Sequence, residues 1–438
     1  MRKMLAIFVT KVLHKGLSMI GKGSAKPGEI GLKIYRDVLK DIKLPERIIA
    51  VTGTTGKTST TMMLNRILSD ANISIAHNLK GSNLLEGITT TILVNSTLTG
   101  KFKKDILLLE VDERYAKLVF KYFKPSDMLV TNLSRDQLIR NTHQEYVFED
   151  LKKVLDPKMT LYLNVDDPLT NKFSLFHDGG IVNLGVSIAK LKTDSTPEVI
   201  DVNYCPKCGS KLDFGSFNYS NLGDYKCSKC DFERYTPDVE VTKATDESIW
   251  CNGVELPFIN KSFYNIYNLL FAYSLANAIG VSDESIVTSL AKEGVQSRRL
   301  NTFEFDGREG VLLLSKNETP ISYNQSIRAV SEIIGSKTVV LGFNNISGRY
   351  NQKDISWLYD INFEGLNAHD IKDIVCVGRF ATNIALRLKY AGIDEEKIVV
   401  EKSMANIKSI LKETTGYICG VLYFDTYEEF KKIIGGAN

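Results

Sequence analysis

Two spacings of apolar residues alternate between positions 47 and 168. "RIIAVTG" (47–53) is a short apolar run closed by a glycine, and "TSTTMMLNRILSDAN" (58–72) spaces its apolar residues for a helix. "ITTTILVN" (88–95), "DILLLEVDE" (105–113) and "SDMLVTNLS" (126–134) are further apolar runs rich in branched residues, which read as strands. "EYVFEDLKKVL" (145–155) has helical spacing, and "MTLYLNVDDP" (159–168) ends in a turn. The alternation predicts a parallel sheet covered by helices, an α/β fold. Residues 201–256 break the pattern with Cys, Tyr, Gly and Asp among short strand-like pieces, and read as an inserted module. Helical spacing returns at 264–280 and 283–295. Beyond 303, "TVVLGFNN", "DIVCVGR", "KIVVEKS" and "GYICGVLYF" are four strand candidates, the later ones separated by helix-like segments. They predict a second, smaller α/β domain. The expected organisation is a central domain over 1–302, carrying an insert at 201–235, and a C-terminal domain over 303–438.

Composition agrees with a globular chain of more than one domain: 438 residues, 43% hydrophobic and 24% charged. A net charge of +3 gives no reason to expect a nucleic-acid partner. No apolar run reaches the length of a membrane span. The first segment, "MRKMLAIFVTKVLHKGLSMIGKG", has a short apolar run interrupted by Lys11 and Lys15, and no small-residue cleavage site. It reads as an amphipathic helix packed on the body; the alternative is a basic helix resting on the inner face of a membrane. Seven cysteines, an odd number, without a secretion signal point to the cytoplasm.

Two stretches carry chemistry. In "TGTTGKT" (52–58) glycines allow backbone N–H groups to turn toward an anion, and the following helix offers its positive end to the same spot. Lys57 would reach the β- and γ-phosphates of a nucleotide, with the Thr58 hydroxyl on Mg²⁺. Glu110 closes the run "DILLLE", at the end of a strand where ligands gather in open α/β sheets, and is a second candidate ligand for Mg²⁺. In the insert, Cys205-Pro-Lys-Cys208 and Cys227-Ser-Lys-Cys230 are paired knuckles, the spacing of a four-thiolate Zn²⁺ cage. Four thiolates leave no open coordination position, so such a metal is structural.

Together these stretches resemble the Mur ligase family, ATP-dependent enzymes that join amino acids to cell-wall precursors. That family's phosphate loop reads T-G-T-x-G-K-T. The resemblance implies nucleotide contacts from Thr54, Gly56, Lys57, Thr58, Ser59, Asn83 and Arg299. It also implies an adenine contact from the pair Asn265 and Asn268 in "FYNIYN". Within the family, the MurT-type branch is the most similar. "HNLKGSNLLEGITT", "VTNLSRDQLIR" and "DISWLYDINFE" resemble segments of that branch, and a cysteine ribbon belongs to it. The branch implies amidation of the D-glutamate α-carboxyl in the stem peptide of lipid II, through an acyl phosphate, as lipid II isoglutaminyl synthase does. Ammonia would come from a GatD-type class-I glutaminase partner. Asp354 is the position matching the aspartate that completes the partner's triad; a helix N-cap, for an Asp before an apolar run, is the plainer reading. Lys57, Glu110 and Asp354 are then the expected catalytic residues, with ATP, Mg²⁺ and structural Zn²⁺ as cofactors and a lipid-linked cell-wall precursor as acceptor.

The sequence also departs from the branch. Arg135, Asp136, Gln137 and Arg140 match, but Ile139 stands in place of an aspartate, and extra residues precede Asp354 in "SGRYNQKDISW". Lys316 and Asn317 match a K-N-P-x-G segment whose glycine is missing. A stand-alone amino-acid ligase on a cell-wall precursor, and a nucleotide-binding scaffold without catalysis, are the alternatives.

Overall fold

The computed structural model describes residues 1–435 apart from 20, 22, 79–81, 136–142, 189–200, 220, 260–262, 293–299 and 347–353. The chain divides into two units, the first built from Met1–Ser134 and His143–Ser297 and the second centred on Arg298–Asn438.

The first unit holds a nine-stranded sheet. Its strands are β1 (Arg47–Thr52), β2 (Ile75–His77), β3 (Ile106–Glu110), β4 (Asp127–Val130), β5 (Thr160–Asn164), β6 (Ile181–Val186), β9 (Val239–Ala244), β10 (Ser248–Cys251) and β11 (Val254–Pro257). They lie in the order β11-β10-β9-β6-β5-β4-β1-β3-β2. All neighbours from β2 to β9 run parallel, and β9, β10 and β11 run antiparallel. Successive residues of a strand point to opposite faces. Ile48 and Ala50 therefore join one core, and Ile49 and Val51 the other. β1 pairs with β3 on one side and β4 on the other. Strand order reverses here, so a crevice opens past the C-terminal ends of these strands.

The stretch 201–256 is not one module. β7 (Leu212–Tyr219) and β8 (Leu222–Cys227) form a separate hairpin, whereas β9–β11 extend the main sheet. The run at 88–95 is not a strand either, since Leu85–Val94 is a helix. The hydroxyls of Thr89, Thr90 and Thr91 donate to the carbonyls of Leu85, Glu86 and Gly87, four residues back. These bonds satisfy the threonine hydroxyls inside the helix, and the tight packing around Gly28 and Gly87 holds it in place.

The second unit is a six-stranded sheet in the order β12-β13-β17-β14-β15-β16. The strands are β12 (Leu300–Phe305), β13 (Arg308–Leu314), β14 (Lys337–Gly342), β15 (Ile371–Val377), β16 (Ile398–Glu401) and β17 (Tyr417–Leu422). The four strand candidates are β14 to β17, all parallel. The hairpin β12–β13 was not among them. It turns on Asp306-Gly307, both with positive φ (+54° and +72°), an Asp-Gly turn suited to a tight hairpin.

Candidate functional site: a phosphate loop on an acidic shelf

The crevice is where the chemistry gathers. Gly53 and Gly56 adopt φ of +124° and +86°, which favour glycine. Any Cβ at Gly53 would lie 2.4 Å from Thr131 Oγ1, and one at Gly56 2.6 Å from Asn268 Oδ1. The loop is tied to the end of β4. Thr54 N donates to Asn132 O (2.8 Å), Thr55 N to Asn132 Oδ1 (3.2 Å), and Ser134 N to Thr54 Oγ1 (3.0 Å). The helix Lys57–Asp70 then starts without a side-chain cap and without an acidic residue in its first turn. Its leading N–H groups are left for an anion. Thr58 is exposed on that turn and Ser59 half-buried beside it.

Lys57 Nζ donates to Gly53 O, to Thr54 O (3.1 Å) and to Glu113 Oε2 (3.0 Å). Its side chain is 12% exposed and that of Glu113 5%. Burial lowers the Lys57 pKa, but Glu113, Asp112 and Glu110 together outweigh it and raise the pKa. Burial pushes the Glu113 carboxyl up, against the pull of Lys57. Lys57 thus pairs with Glu113 and also feels the charge of two further buried carboxylates, Asp112 and Glu110. Glu110 is fixed from both sides: Asn83 Nδ2 donates to its Oε1 (3.0 Å), and Asn78 pairs with its backbone N–H and C=O.

Asn265 and Asn268 are both buried on the helix Phe263–Ile279. Asn268 Oδ1 accepts from Thr60 Oγ1 at 3.5 Å, while its buried Nδ2 has no partner among the described residues. An orphaned buried donor costs free energy unless a ligand meets it, which fits a nucleotide beside the loop. The structure therefore brings Thr54, Gly56, Lys57, Thr58, Ser59, Asn83, Glu110 and Asn268 to one crevice. Arg299 lies outside the described residues, as do Asp136, Gln137, Ile139, Arg140 and the residues just before Asp354. Sequence reasoning missed Glu113, although the acidic pair after Glu110 in "EVDE" was the signal.

In the hairpin module, the sulfurs of Cys205, Cys208, Cys227 and Cys230 all lie within 4.8 Å of one another. Cys205 and Cys230 stand 3.6 Å apart, and Cys208 and Cys227 3.4 Å. Sulfurs bound at about 2.3 Å around a tetrahedral zinc ion would stand about 3.8 Å apart. Backbone N–H groups of Lys207, Lys229 and Cys230 point at Cys205 or Cys227 sulfur, each at 3.4 Å, as knuckle thiolates require. The four residues fit a metal.

In the second unit, Asp354 is exposed and its Oδ1 accepts from Ser356 N (2.9 Å). It stands one residue before the N-cap Ile355 of the 3₁₀ turn Ser356–Asp360, which is fixed by Trp357 packed against Tyr323 and Phe343. The expected N-cap role falls to Ile355 instead, and the bond from Ser356 N engages only one Asp354 oxygen. Asn317 is buried, accepting from Tyr323 OH (2.7 Å) and donating to Asn345 O (2.6 Å).

Comparison with known proteins follows this geometry. The family described as Mur ligase middle domain matches residues 51–204, and that described as MurT ligase C-terminal matches 314–427. The lipid II isoglutaminyl synthase (glutamine-hydrolyzing) subunit MurT of Streptococcus pneumoniae (strain ATCC BAA-255 / R6) is 30% identical over 450 residues, covering 99% of this chain and 97% of that one. Its namesake from Staphylococcus aureus (strain N315) is 29% identical, over 96% and 95% of the two chains. Among solved structures, a pseudomurein peptide ligase type C from Methanothermus fervidus superposes with a TM-score of 0.68 at 20% identity, covering 91% of this chain and 80% of that one. MurF from Acinetobacter baumannii gives 0.62 at 18% identity, covering 92% and 80%. These two speak for the fold. With identity of 30% running through nearly the whole of both chains, the chain belongs to the Mur ligase family, in its MurT branch.

Proposed function

We propose that this chain is the ligase subunit of a glutamine-dependent synthase that amidates the D-glutamate α-carboxyl of the lipid II stem peptide. The near-full-length similarity to MurT carries this reading, and the phosphate loop with its acidic shelf supports it. A carboxylate is a poor electrophile. ATP would supply the phosphoryl group that turns one carboxylate oxygen into a leaving group. Ammonia then adds to the acyl phosphate, phosphate departs with that oxygen, and one proton is lost to give the amide.

The residues of the crevice account for the handling of charge. Lys57 and the N–H groups opening the helix Lys57–Asp70 would hold the phosphates and offset negative charge on the transferring group. Glu110 and Thr58 would hold Mg²⁺, with Asn83 orienting the Glu110 carboxylate. Asn268, with its unpartnered Nδ2, would meet the nucleotide. Zn²⁺ in the cysteine cage would be structural. Asp354 would orient the histidine of a GatD-type glutaminase that releases ammonia from glutamine. The residue's exposure and its anchored turn support that role. The cytoplasmic face of the membrane is where a lipid-linked acceptor would be met. No described helix is long and apolar enough to cross a membrane.

The departures around Ile139 and before Asp354 favour one other reading, an amino acid in place of ammonia as nucleophile. The test is mass spectrometry of lipid II incubated with the chain, ATP, Mg²⁺ and ammonium chloride, or with glutamine and a co-expressed glutaminase. Amidated stem peptide in both arms is expected, and none with Lys57→Ala. ATP consumption without amidation, restored by an amino acid, would overturn the amidation reading.

A further inference from the structure

The helix Arg2–Ser18 has two apolar faces and uses one. Ala6, Ile7 and Thr10 are buried, where the helix leans on the helices Lys26–Ile34 and Leu85–Val94. On the opposite side Leu5 is 51%, Phe8 54% and Val12 54% exposed, and Met1, Met4 and Met19 are exposed with them. At 3.6 residues per turn these six positions fall within an arc of about 100°, centred about 170° from the buried residues. Exposed apolar side chains gathered on one side of a helix that already has its core contact call for a second apolar surface.

Charge identifies that surface. Residues 2–18 contain no acidic side chain and four basic ones, Arg2, Lys3, Lys11 and Lys15. Arg2 and Lys15 are exposed: Arg2 lies about 60° past the edge of this arc, and Lys15 lies within it, beyond Val12. Lys11 donates to Ser96 O, and Lys103 lies close enough to lower its pKa, so the rim continues onto the neighbouring loop. A second copy of the chain laid against this stripe would bring the same basic rim against itself. An anionic lipid leaflet satisfies both features, taking the apolar side chains into the acyl boundary and the basic rim at the headgroups. We propose that the exposed face of the helix Arg2–Ser18 is a docking surface for an anionic membrane leaflet. The helix packs on Leu85–Val94, which begins two residues after Asn83, so the surface belongs to the unit that carries the phosphate loop. The proposal does not rest on the identity of the acceptor.

The experiment is sedimentation of the full chain with sucrose-loaded vesicles, either phosphatidylglycerol mixed with phosphatidylcholine or phosphatidylcholine alone. Binding to the anionic vesicles, weakened by added salt and on the order of tenfold poorer to neutral ones, is expected. Phe8→Ser/Val12→Ser should lower partitioning at least about tenfold. Arg2→Glu/Lys15→Glu should remove the preference for anionic lipid. Both pairs are exposed, so melting temperature and ATP turnover in solution should match the parent and show that the fold is kept. Absence of sedimentation, or variants that sediment like the parent, would overturn the proposal. So would a self-associated species in sedimentation velocity that Phe8→Ser/Val12→Ser abolishes while vesicles leave it intact.

Discussion

Replacing Arg234 by Met tests how the cysteine module is fastened to the ATPase sheet. Asp166 is fully buried at the end of β5. Four donors converge on its oxygens: Arg234 Nε (2.7 Å), Tyr267 OH (2.7 Å), Val186 N (2.9 Å) and Asn218 Nδ2 (3.3 Å). Burial pushes the Asp166 pKa up, and Arg234 and the other donors oppose it. At the observed 2.7 Å and an effective dielectric of about 20, the gross attraction of the ion pair is about 6 kcal/mol. Returning the guanidinium to water recovers part of this, and a broken buried pair costs about 3–5 kcal/mol net. The carboxylate can escape by taking up a proton. From an unfolded pKa of about 3.9, that costs about 4 kcal/mol at pH 7. The two routes agree in size and differ in pH dependence. A carboxyl whose folded pKa is raised holds a proton that the unfolded chain lacks, so its contribution to stability improves as pH falls toward the unfolded value. The parent's own carboxyl is shifted in the same direction, so the deficit of Arg234→Met should be largest at pH 7, up to about 4 kcal/mol, and should shrink as pH falls. The chain has two tryptophans, Trp250 in the first unit and Trp357 in the second. Urea unfolding followed by Trp250 fluorescence in a Trp357→Phe background reads the first unit. A loss below about 1 kcal/mol at pH 7, or a deficit that grows on acidification, would refute the reasoning.

Gly56→Ala should weaken ADP binding about tenfold in calorimetry, because it puts a side chain into left-handed backbone at about 1–2 kcal/mol and displaces Asn268. Unchanged affinity would mean that the loop relaxes freely. Cys227→Ser should lose bound metal in elemental analysis and lower the melting temperature before it changes chemistry, since a structural metal contributes folding energy. Normal melting without metal would sink the structural role. With a glutaminase partner present, Asp354→Asn should abolish glutamine-dependent turnover and spare ammonia-dependent turnover. Equal loss of both would give Asp354 a different task.

What could be read from the sequence was chemistry confined to short segments. The phosphate loop and the two cysteine knuckles each carry their spacing within a few residues, and the structure brings each together. What was hidden depended on which strands are neighbours. Glu113 meets Lys57 because β3 lies beside β1, a pairing across 56 positions that no local pattern contains. The helix Leu85–Val94 was hidden for a different reason. Its branched residues argue for a strand, and tertiary packing, tight around Gly28 and Gly87, overrides that preference. The hairpin β12–β13, by contrast, had its Asp-Gly turn in plain view.

The position of the cysteine module explains why an ATPase carries one. Its Tyr225 donates to Val165 O (2.9 Å) and accepts from Asn171 Nδ2 (2.9 Å), and Arg234 just beyond the cage pairs with Asp166. The next residue, Asp167, accepts from Leu133 N (2.6 Å) and Leu169 N (2.9 Å). Leu133 follows Asn132, whose carboxamide and carbonyl hold Thr55 and Thr54 of the phosphate loop. One chain of contacts thus runs from the cage, through the turn after β5 and the end of β4, to the groups that would surround phosphate. The links are buried or half-buried and each polar link is a hydrogen bond under 3.3 Å, so loosening the cage removes support from the wall on which the loop is hung. A metal held by these cysteines would stabilise the geometry of the crevice without touching a reacting atom.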